Sequence, residues 1–199
     1  MRRITTNKAQ GQGAGGGSLG KRTHPRISVV NTQHRLPVST SHIARLARCA
    51  IRRLRIRTPG KLAITFIDPR RMRVLNKRFC RHDRLTDVLS FRYDGEPVVG
   101  DILIAPAAAR SYAQRHGIPY AEELSRYVLH GLLHWLGHDD RTPAQQRKMR
   151  TMEDQLLASS LTDWGGGRAR SGDQARRAGG AGGKGNAKTH APRPAPRAP

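Results

Sequence analysis

The residues of this chain that are best suited to chemistry lie within one short segment. His130 and His134 are four residues apart, so on a helix their imidazoles project from one face and can bind one metal ion. Gly137 follows and can take the left-handed conformation that ends a helix. The returning chain then brings either His138 or Asp140 to the same point. Two helical ligands, one returning ligand and an open coordination position are typical of a catalytic zinc site.

The residue after the first histidine indicates which reaction such a site would serve. Zinc peptidases of the His-Glu-x-x-His type place a glutamate there as general base, whereas this chain has Gly131. A metal-bound hydroxide can still attack phosphorus, because the ion lowers the pKa of its water and neutralises a phosphate oxygen. The pattern therefore favours phosphodiester hydrolysis over peptide hydrolysis.

A strong excess of positive charge points to the same class of substrate. The formal net charge is +23, from 37 Lys and Arg against 14 Asp and Glu. Residues 1–26 hold six basic and no acidic residues, and residues 164–199 hold eight basic and one acidic residue. The segment between them keeps 23 basic against 13 acidic residues, so the charge is not confined to the ends. RNA, DNA or a ribonucleoprotein surface is the favoured partner.

Hydrophobic periodicity predicts one domain, residues 27–162, that positions these side chains. The predicted strands are 27–31, 61–68, 86–93 and 100–105, and the predicted helices are 41–54, 69–79, 107–116, 119–136 and 143–161. Thr142-Pro-Ala-Gln145 matches a capping box before the last helix. The last two strands are predicted neighbours, and the long connections between the first strands favour some parallel pairing. The fold class is therefore α+β, a small mixed β-sheet with packed helices, whose central helix carries the metal-binding histidines.

Both ends are predicted to lie outside this domain. Residues 1–26 are basic and Gly-rich, residues 163–199 are basic and rich in Gly, Pro and Ala, and neither end has hydrophobic periodicity. Both are therefore predicted to be disordered. The N-terminus lacks the apolar run of a signal peptide, and no 18 consecutive residues are apolar. With only Cys49 and Cys80, too far apart for a disulfide framework, a cytoplasmic protein without a membrane segment is expected.

Three sequence blocks resemble the YbeY family of rRNA maturation factors, which are metal-dependent endoribonucleases acting on single-stranded RNA. His130-Gly-Leu-Leu-His134-Trp-Leu-Gly137-His-Asp-Asp140 resembles the family's His-Gly-x-Leu-His-x-x-Gly-Tyr-Asp-His. Thr86-Asp-Val-Leu-Ser-Phe91 and Gly100-Asp-Ile102 resemble its Thr-Asp-Val-Leu-Ser-Phe and its Gly-Asp-Ile. The order and spacing of these blocks agree over about residues 27 to 160.

The resemblance implies one Zn²⁺ ion per chain, held by His130, His134 and a third ligand. That ligand is a histidine in the family, and its position is occupied by Asp140 here. Because a residue at the same position in the motif is expected to reach the same point in space, Asp140 is the expected ligand. It would supply an oxygen in place of a nitrogen. His138, which stands where the family has a tyrosine, is the rival ligand. The two histidines would serve catalysis as well as binding.

A second departure from the family lies at Cys80, which replaces an arginine that the resemblance implies at the active site. A cysteine cannot make a bidentate contact with phosphate. Arg78 and Arg81 flank it, and either could reach into the cleft or be plain surface charge; Arg81 is the candidate catalytic arginine. Asp87 belongs to the segment that lines the cleft in the family and is the fourth candidate catalytic residue. Hydrogen bonding at a strand end is the alternative role for Asp87.

The expected function by resemblance is a zinc-dependent, single-strand-specific endoribonuclease, a hydrolase of small-subunit rRNA 3′-end processing and ribosome quality control. Its implied partners are rRNA, ribosomal particles, and ribosomal or GTPase assembly-factor proteins. The alternative is a non-catalytic factor that binds rRNA or pre-ribosomes and keeps a structural metal site. A zinc peptidase is a third hypothesis, disfavoured by Gly131.

Overall fold

The structure is a computed structural model that describes residues 3–6, 24–81, 83, 85–93 and 98–165. Its strands are β1 (Arg3–Thr6), β2 (Arg26–Asn31), β3 (Gly60–Phe66), β4 (Val88–Tyr93) and β5 (Val98–Ile104). Its helices are α1 (Thr40–Arg53), α2 (Pro69–Cys80), α3 (Pro106–His116), α4 (Tyr120–Trp135) and α5 (Pro143–Gly165). The helices and the four strands predicted between residues 27 and 162 are all present, with ends shifted by a few residues.

The strands form one mixed five-stranded sheet in the order β1-β4-β5-β3-β2. Strands β2, β3 and β5 run parallel, β1 runs parallel to β4, and β4 and β5 are antiparallel neighbours. The antiparallel pair places Ser90 of β4 opposite Ile102 of β5. The predicted α+β class, the predicted neighbouring strands and the predicted parallel pairing are therefore confirmed.

Each face of the sheet is covered by a different set of helices, because successive side chains of a strand point to opposite faces. On one face the larger hydrophobic core joins Val88 and Ile102 to buried residues of α1, α4 and α5. On the other face Leu89 and Phe91 pack with Met72 of α2 in a smaller core. Helix α4 contacts both β4 and β5, and it therefore lies across the antiparallel pair.

The ends of α4 and α5 are fixed by the local signals that the sequence contains. Gly137 has a φ of 98°, its N–H donates to the His134 carbonyl, and the His138 N–H donates to the Leu133 carbonyl. This is a Schellman stop, in which a left-handed glycine turns the chain away from the helix axis. At the start of α5, Thr142 and Gln145 each accept the other's backbone N–H in the predicted capping box.

The prediction that residues 1–26 lack regular structure was wrong for Arg3–Thr6, which form the edge strand β1. Four residues are too few to give a periodic signal, so only the pairing partner β4 reveals them. The other residues of 1–23, and residues 166–199, lie outside the described ranges, and their predicted disorder stays a prediction. Among the helices that the structure describes, none is both long enough and apolar enough to cross a membrane.

Candidate metal centre

The last turns of α4 and the loop after it bring three ligand candidates to one point. The Nε2 atoms of His130 and His134 are 3.1 Å apart. The Asp140 Oδ2 atom lies 3.7 Å from the first of these nitrogens and 3.8 Å from the second. Among the residues that the structure describes, these three side chains form the group that could hold a metal ion.

The dimensions of this triangle fit one small divalent ion. Two nitrogen ligands at about 2.0–2.1 Å from a tetrahedral zinc ion are separated by about 3.3 Å. The observed separations of 3.1, 3.7 and 3.8 Å lie close to that value. Two imidazoles and one carboxylate are also a donor set that zinc accepts. The residues present therefore fit the metal that the sequence predicts.

Hydrogen bonds on the far side of each imidazole point both Nε2 atoms at the same place. His130 Nδ1 donates to the Glu153 carboxylate at 2.6 Å, and His134 Nδ1 donates to the backbone carbonyl of His138 at 2.9 Å. Metal-binding histidines commonly have such partners, which fix the ring orientation and raise the basicity of the ligand nitrogen. The arrangement is thus built for ligation through Nε2.

The charged groups around the site shift the pKa values of two of its members. Burial lowers the pKa of His130, but its hydrogen bond with Glu153 and the negative charges of Glu153, Asp87 and Asp140 outweigh burial, so the net pKa is raised. Burial raises the pKa of Asp140, but contact with His134 and the charges of both histidines outweigh it, so the net pKa is lowered. Asp140 is therefore ionised at neutral pH and could supply an oxygen ligand.

The loop geometry assigns different places to the two candidates for the third ligand. The Asp140 carboxylate faces both histidines. His138 instead contributes its backbone carbonyl, which accepts the hydrogen bond from His134. Burial and the charges of Lys148 and His134 lower the pKa of the His138 imidazole. The arrangement therefore favours Asp140 as ligand and gives the backbone of His138 an orienting role.

Access to the site differs among its three members. The His134 side chain is 2% exposed, whereas those of His130 and Asp140 are 18% and 14% exposed. The buried His134 anchors the group, and the side chains of His130 and Asp140 reach an opening to solvent. An open side of this kind leaves a coordination position for water or substrate, as catalytic zinc sites do.

Close contact between α4 and the sheet explains the glycine between the two histidines. A Cβ atom at Gly131 would lie 2.6 Å from Ile102 Cγ2 and 2.9 Å from Val88 Cγ1. The Gly131 carbonyl also accepts a hydrogen bond from Ser90 Oγ at 3.1 Å. Position 131 therefore faces the sheet and has no space for a glutamate side chain.

The remaining predicted site residues differ in their burial and in their contacts. Arg81 is exposed at the left-handed end of α2, with a φ of 59°, and it makes no hydrogen bond or ion pair with the described residues. Arg78 is exposed and lies over the Phe79 ring. Cys80 is buried in the smaller core and therefore faces away from solvent.

Asp87 is the predicted site residue that is linked to the histidines. It is half-buried, and its negative charge contributes to the raised pKa of His130. Its Oδ1 atom also accepts a hydrogen bond from the Val88 N–H.

The contact of Glu153 with His130 was not predicted from the sequence. Glu153 is 6% exposed and holds His130. The sequence did indicate that Glu153 is buried, because it lies four residues after buried Met149 and three residues before buried Leu156 on α5. A carboxylate in the buried stripe of an amphipathic helix requires a polar partner inside the protein.

Comparisons with known proteins agree with these observations. A family model described as endoribonuclease YbeY matches residues 28–160. A curated endoribonuclease YbeY of Thermobifida fusca is 33% identical over 143 residues, covering 66% of this chain and 92% of the relative. Its counterpart from Chlamydia felis is 31% identical over 147 residues, covering 69% and 92%. The solution structure of TM1509 from Thermotoga maritima matches 76% of this chain and 99% of that one, with 21% identity and a TM-score of 0.51, and supports the fold.

Proposed function

Because the chain belongs to the endoribonuclease YbeY family, we propose that it is a zinc-dependent endoribonuclease acting on single-stranded RNA. The observation that carries the proposal is the convergence of His130, His134 and Asp140, two of which reach an opening to solvent. We place its activity in small-subunit rRNA 3′-end maturation and ribosome quality control, in the cytoplasm. Ribosomal particles and assembly factors are the corresponding partners.

The chemistry of this site needs an ion, and the protein supplies its ligands and their orientation. A bound divalent ion would lower the pKa of a coordinated water and neutralise a phosphate oxygen. Glu153 and the His138 carbonyl hold the two imidazoles in place. Asp87, whose negative charge contributes to the raised pKa of His130, is the proposed group for moving a proton near the phosphodiester. Arg81, exposed beside Cys80, is proposed to contact the RNA phosphate from the α2 end.

Hydrolysis of peptides has no comparable support. A zinc peptidase of the His-Glu-x-x-His type needs a carboxylate at position 131, which is a glycine pressed against the sheet. Glu153 binds the Nδ1 side of His130, opposite the ligand nitrogen, and so it does not replace that base. The high positive charge of the chain also suits a phosphodiester substrate better.

Metal analysis combined with RNA cleavage tests the proposal. We expect the Asp140→Ala protein to lose bound zinc and to cleave a labelled single-stranded RNA at least 100-fold more slowly, because one of three ligands is gone. The matched variant His138→Ala keeps the backbone carbonyl that orients His134 and should retain zinc and most activity. Full cleavage by metal-free Asp140→Ala protein would show that the site does not carry the reaction.

A second candidate function is a non-catalytic factor that binds rRNA and keeps the metal for structure. The burial of Cys80 in an apolar core favours it, since the thiol at that position cannot make the phosphate contact of an arginine. Metal analysis and RNA cleavage also decide between the endoribonuclease and the binding factor. Zinc-loaded wild-type protein that binds rRNA tightly without cleaving it would establish the binding factor.

A further inference from the structure

Helix α1 carries a row of positive charge that the metal centre does not use. Arg45, Arg48 and Arg52 follow one another at spacings of three and four residues, so they line one stripe of the helix over about 10 Å. All three are exposed, while Ile43 and Ile51 of the same helix are buried in the larger core. Helix α1 contains no acidic residue. Its polar side is thus a linear array of guanidinium groups.

This row borders a cavity of about 610 Å³ at the edge of α5. The three arginines supply its charge, and Ser160 of α5 supplies a hydroxyl group. Its floor is formed by Leu46 and Cys49, with His42 at one end. We call this cavity, with these seven lining residues, the α1 cleft. Its volume is within the range of about 300–1,000 Å³ found for sites that take whole organic ligands.

The chemistry of the lining selects a ligand that combines charge with apolar surface. Guanidinium groups bind phosphate oxygens through a planar fork of N–H donors. Leu46 and Cys49 offer apolar surface between them. The His42 imidazole faces Ser125 Oγ at 3.3 Å, and burial together with the charge of Arg45 lowers its pKa. The His42 imidazole is therefore neutral at neutral pH, and the three arginines provide the positive charge of the α1 cleft.

Helix α5 links the α1 cleft to the metal centre. Glu153, which holds His130, and Ser160, which lines the cleft, are seven residues apart. They lie on the same face of α5, about two turns or 10 Å from each other along its axis. The α1 cleft therefore lies apart from the three candidate metal ligands, on a helix that packs against both α4 and α5.

We propose that the α1 cleft binds consecutive phosphates of the single-stranded RNA substrate at a distance from the cleaved bond. A linear row of three guanidinium groups matches a linear polyanion, and the apolar floor accepts a ribose or base between phosphates. The inference rests on the proposed endoribonuclease function, and it adds an anchoring site to it. The cleft acts in binding, so cleavage itself is not needed to detect it.

RNA binding by the full-length protein tests this proposal. The probe is a fluorescent single-stranded oligoribonucleotide, mixed with protein whose zinc has been removed by a chelator so that no cleavage occurs. We expect the triple variant Arg45→Gln, Arg48→Gln, Arg52→Gln to bind at least tenfold more weakly at low salt. Its plot of log affinity against log salt should be shallower by about 2, since each lost phosphate contact removes about 0.7.

Two further triple variants separate local from overall charge. Arg70→Gln, Arg71→Gln, Arg115→Gln removes the same charge at exposed positions outside the cleft and should bind like wild type. Replacing Arg45, Arg48 and Arg52 by lysine keeps the charge and should restore most of the salt slope. Circular dichroism and thermal unfolding check that each variant is folded. The proposal would be overturned if both triple glutamine variants lost RNA affinity equally. It would also be overturned if the variant of Arg45, Arg48 and Arg52 lost none.

The catalytic proposal is judged separately with His130→Ala, by cleavage of a labelled RNA with zinc-loaded protein and by RNA binding with zinc-free protein. This variant should lose RNA cleavage while keeping the wild-type affinity and salt slope. If the glutamine variant of Arg45, Arg48 and Arg52 binds RNA like wild type while His130→Ala is inactive, the proposed RNA binding by the α1 cleft is wrong and the proposed endoribonuclease function is supported. If wild-type protein cleaves no RNA, the endoribonuclease fails, and the binding data alone decide on the cleft.

Discussion

The carboxylate of Glu153 holds the His130 imidazole in place and raises its pKa. It accepts the Nδ1 hydrogen bond at 2.6 Å from within the helical interface, where it is 6% exposed. With Asp87 and Asp140 it raises the pKa of His130 against the opposing effect of burial. A proton on Nε2 occupies the position where the metal would bind, so metal binding at moderately acidic pH must release that proton.

Zinc affinity should therefore fall as the pH drops through the raised pKa of His130. In the Glu153→Gln variant the main cause of that raised pKa is gone, so the fall should begin at a lower pH. At high pH, where His130 is neutral in both proteins, the variant should bind zinc about 10–100-fold more weakly, because the imidazole is less well oriented. Competition titrations with a zinc indicator across pH measure both effects.

A neighbouring carboxylate provides the control for this experiment. Asp154 follows Glu153 on α5 but forms an exposed ion pair with Arg126. Asp154→Asn removes the same charge from the helix without touching His130, and it should leave the pH profile unchanged. If the two variants shift the profile equally, general charge rather than the Glu153 contact sets the affinity.

At the residue scale, the sequence indicated the candidate ligands more readily than the residues that orient them. His130, His134 and Gly137 belong to one local pattern, and a helix places such residues without help from distant parts of the chain. Glu153 reaches His130 only because α5 folds back along α4, and no spacing within one helix encodes that contact. The burial of Cys80 under α2 likewise depends on how the helix rotates onto the sheet.

The position of α4 is set by how closely it approaches strands β4 and β5. Gly131 makes this approach possible, and Ser90 of β4 donates a hydrogen bond to its carbonyl. Gly100 of β5 has a similar role, since a Cβ there would overlap the Trp135 indole. Two glycines and one hydroxyl group thus fix the height of the histidine-bearing helix above the sheet.

A methyl group at position 131 should therefore destabilise the protein despite the higher helix propensity of alanine. In a helix free of other contacts, Gly→Ala stabilises by about 1 kcal/mol. Here the added Cβ meets Ile102 and Val88 at 2.6 and 2.9 Å, and overpacking of this kind costs about 1–3 kcal/mol. We expect Gly131→Ala to lower the free energy of unfolding in denaturant titrations, and to weaken zinc binding by displacing His130.

An exposed helical position supplies the comparison for this substitution. Thr151 on α5 is exposed, and its hydroxyl donates to the Arg147 carbonyl within the same helix. Thr151→Ala should change the free energy of unfolding by no more than about 0.5 kcal/mol. A Gly131→Ala protein as stable as wild type would show that α4 can move away from the sheet at no cost.

At the element scale, the predictions succeeded where the signal was local. Helix α1 shows apolar spacing, α5 starts at a capping box, and α4 stops at a left-handed glycine; each depends on neighbouring residues alone. Strand β1 was missed because it is defined only by its pairing with β4, far along the chain. The strand order is likewise a property of long-range pairing, so the sequence predicted a mixed sheet without its order.

For the molecule as a whole, positive charge is spread over three regions with different structural roles. Residues 27–163, which include the predicted domain, carry 23 basic against 13 acidic residues, among them the row on α1. Residues 164–199 add eight basic residues and one acidic residue. Residues 1–26 add six basic residues and also contain β1, which pairs with β4 at one edge of the sheet. Removing the two ends should therefore have different effects.

Deletion of residues 1–23 should reduce both stability and RNA affinity. It removes a strand that pairs in parallel with β4 from Ser90 to Tyr93, and the lost backbone hydrogen bonds correspond to about 1–3 kcal/mol. An exposed β4 edge also favours association between chains, which size-exclusion chromatography would detect. Deletion of residues 166–199 removes charge but no described element, so only the affinity and its salt dependence should fall. Denaturant titrations beside salt titrations of RNA binding distinguish the two outcomes, and equal unfolding free energies for both truncated proteins would show that β1 does not stabilise the sheet.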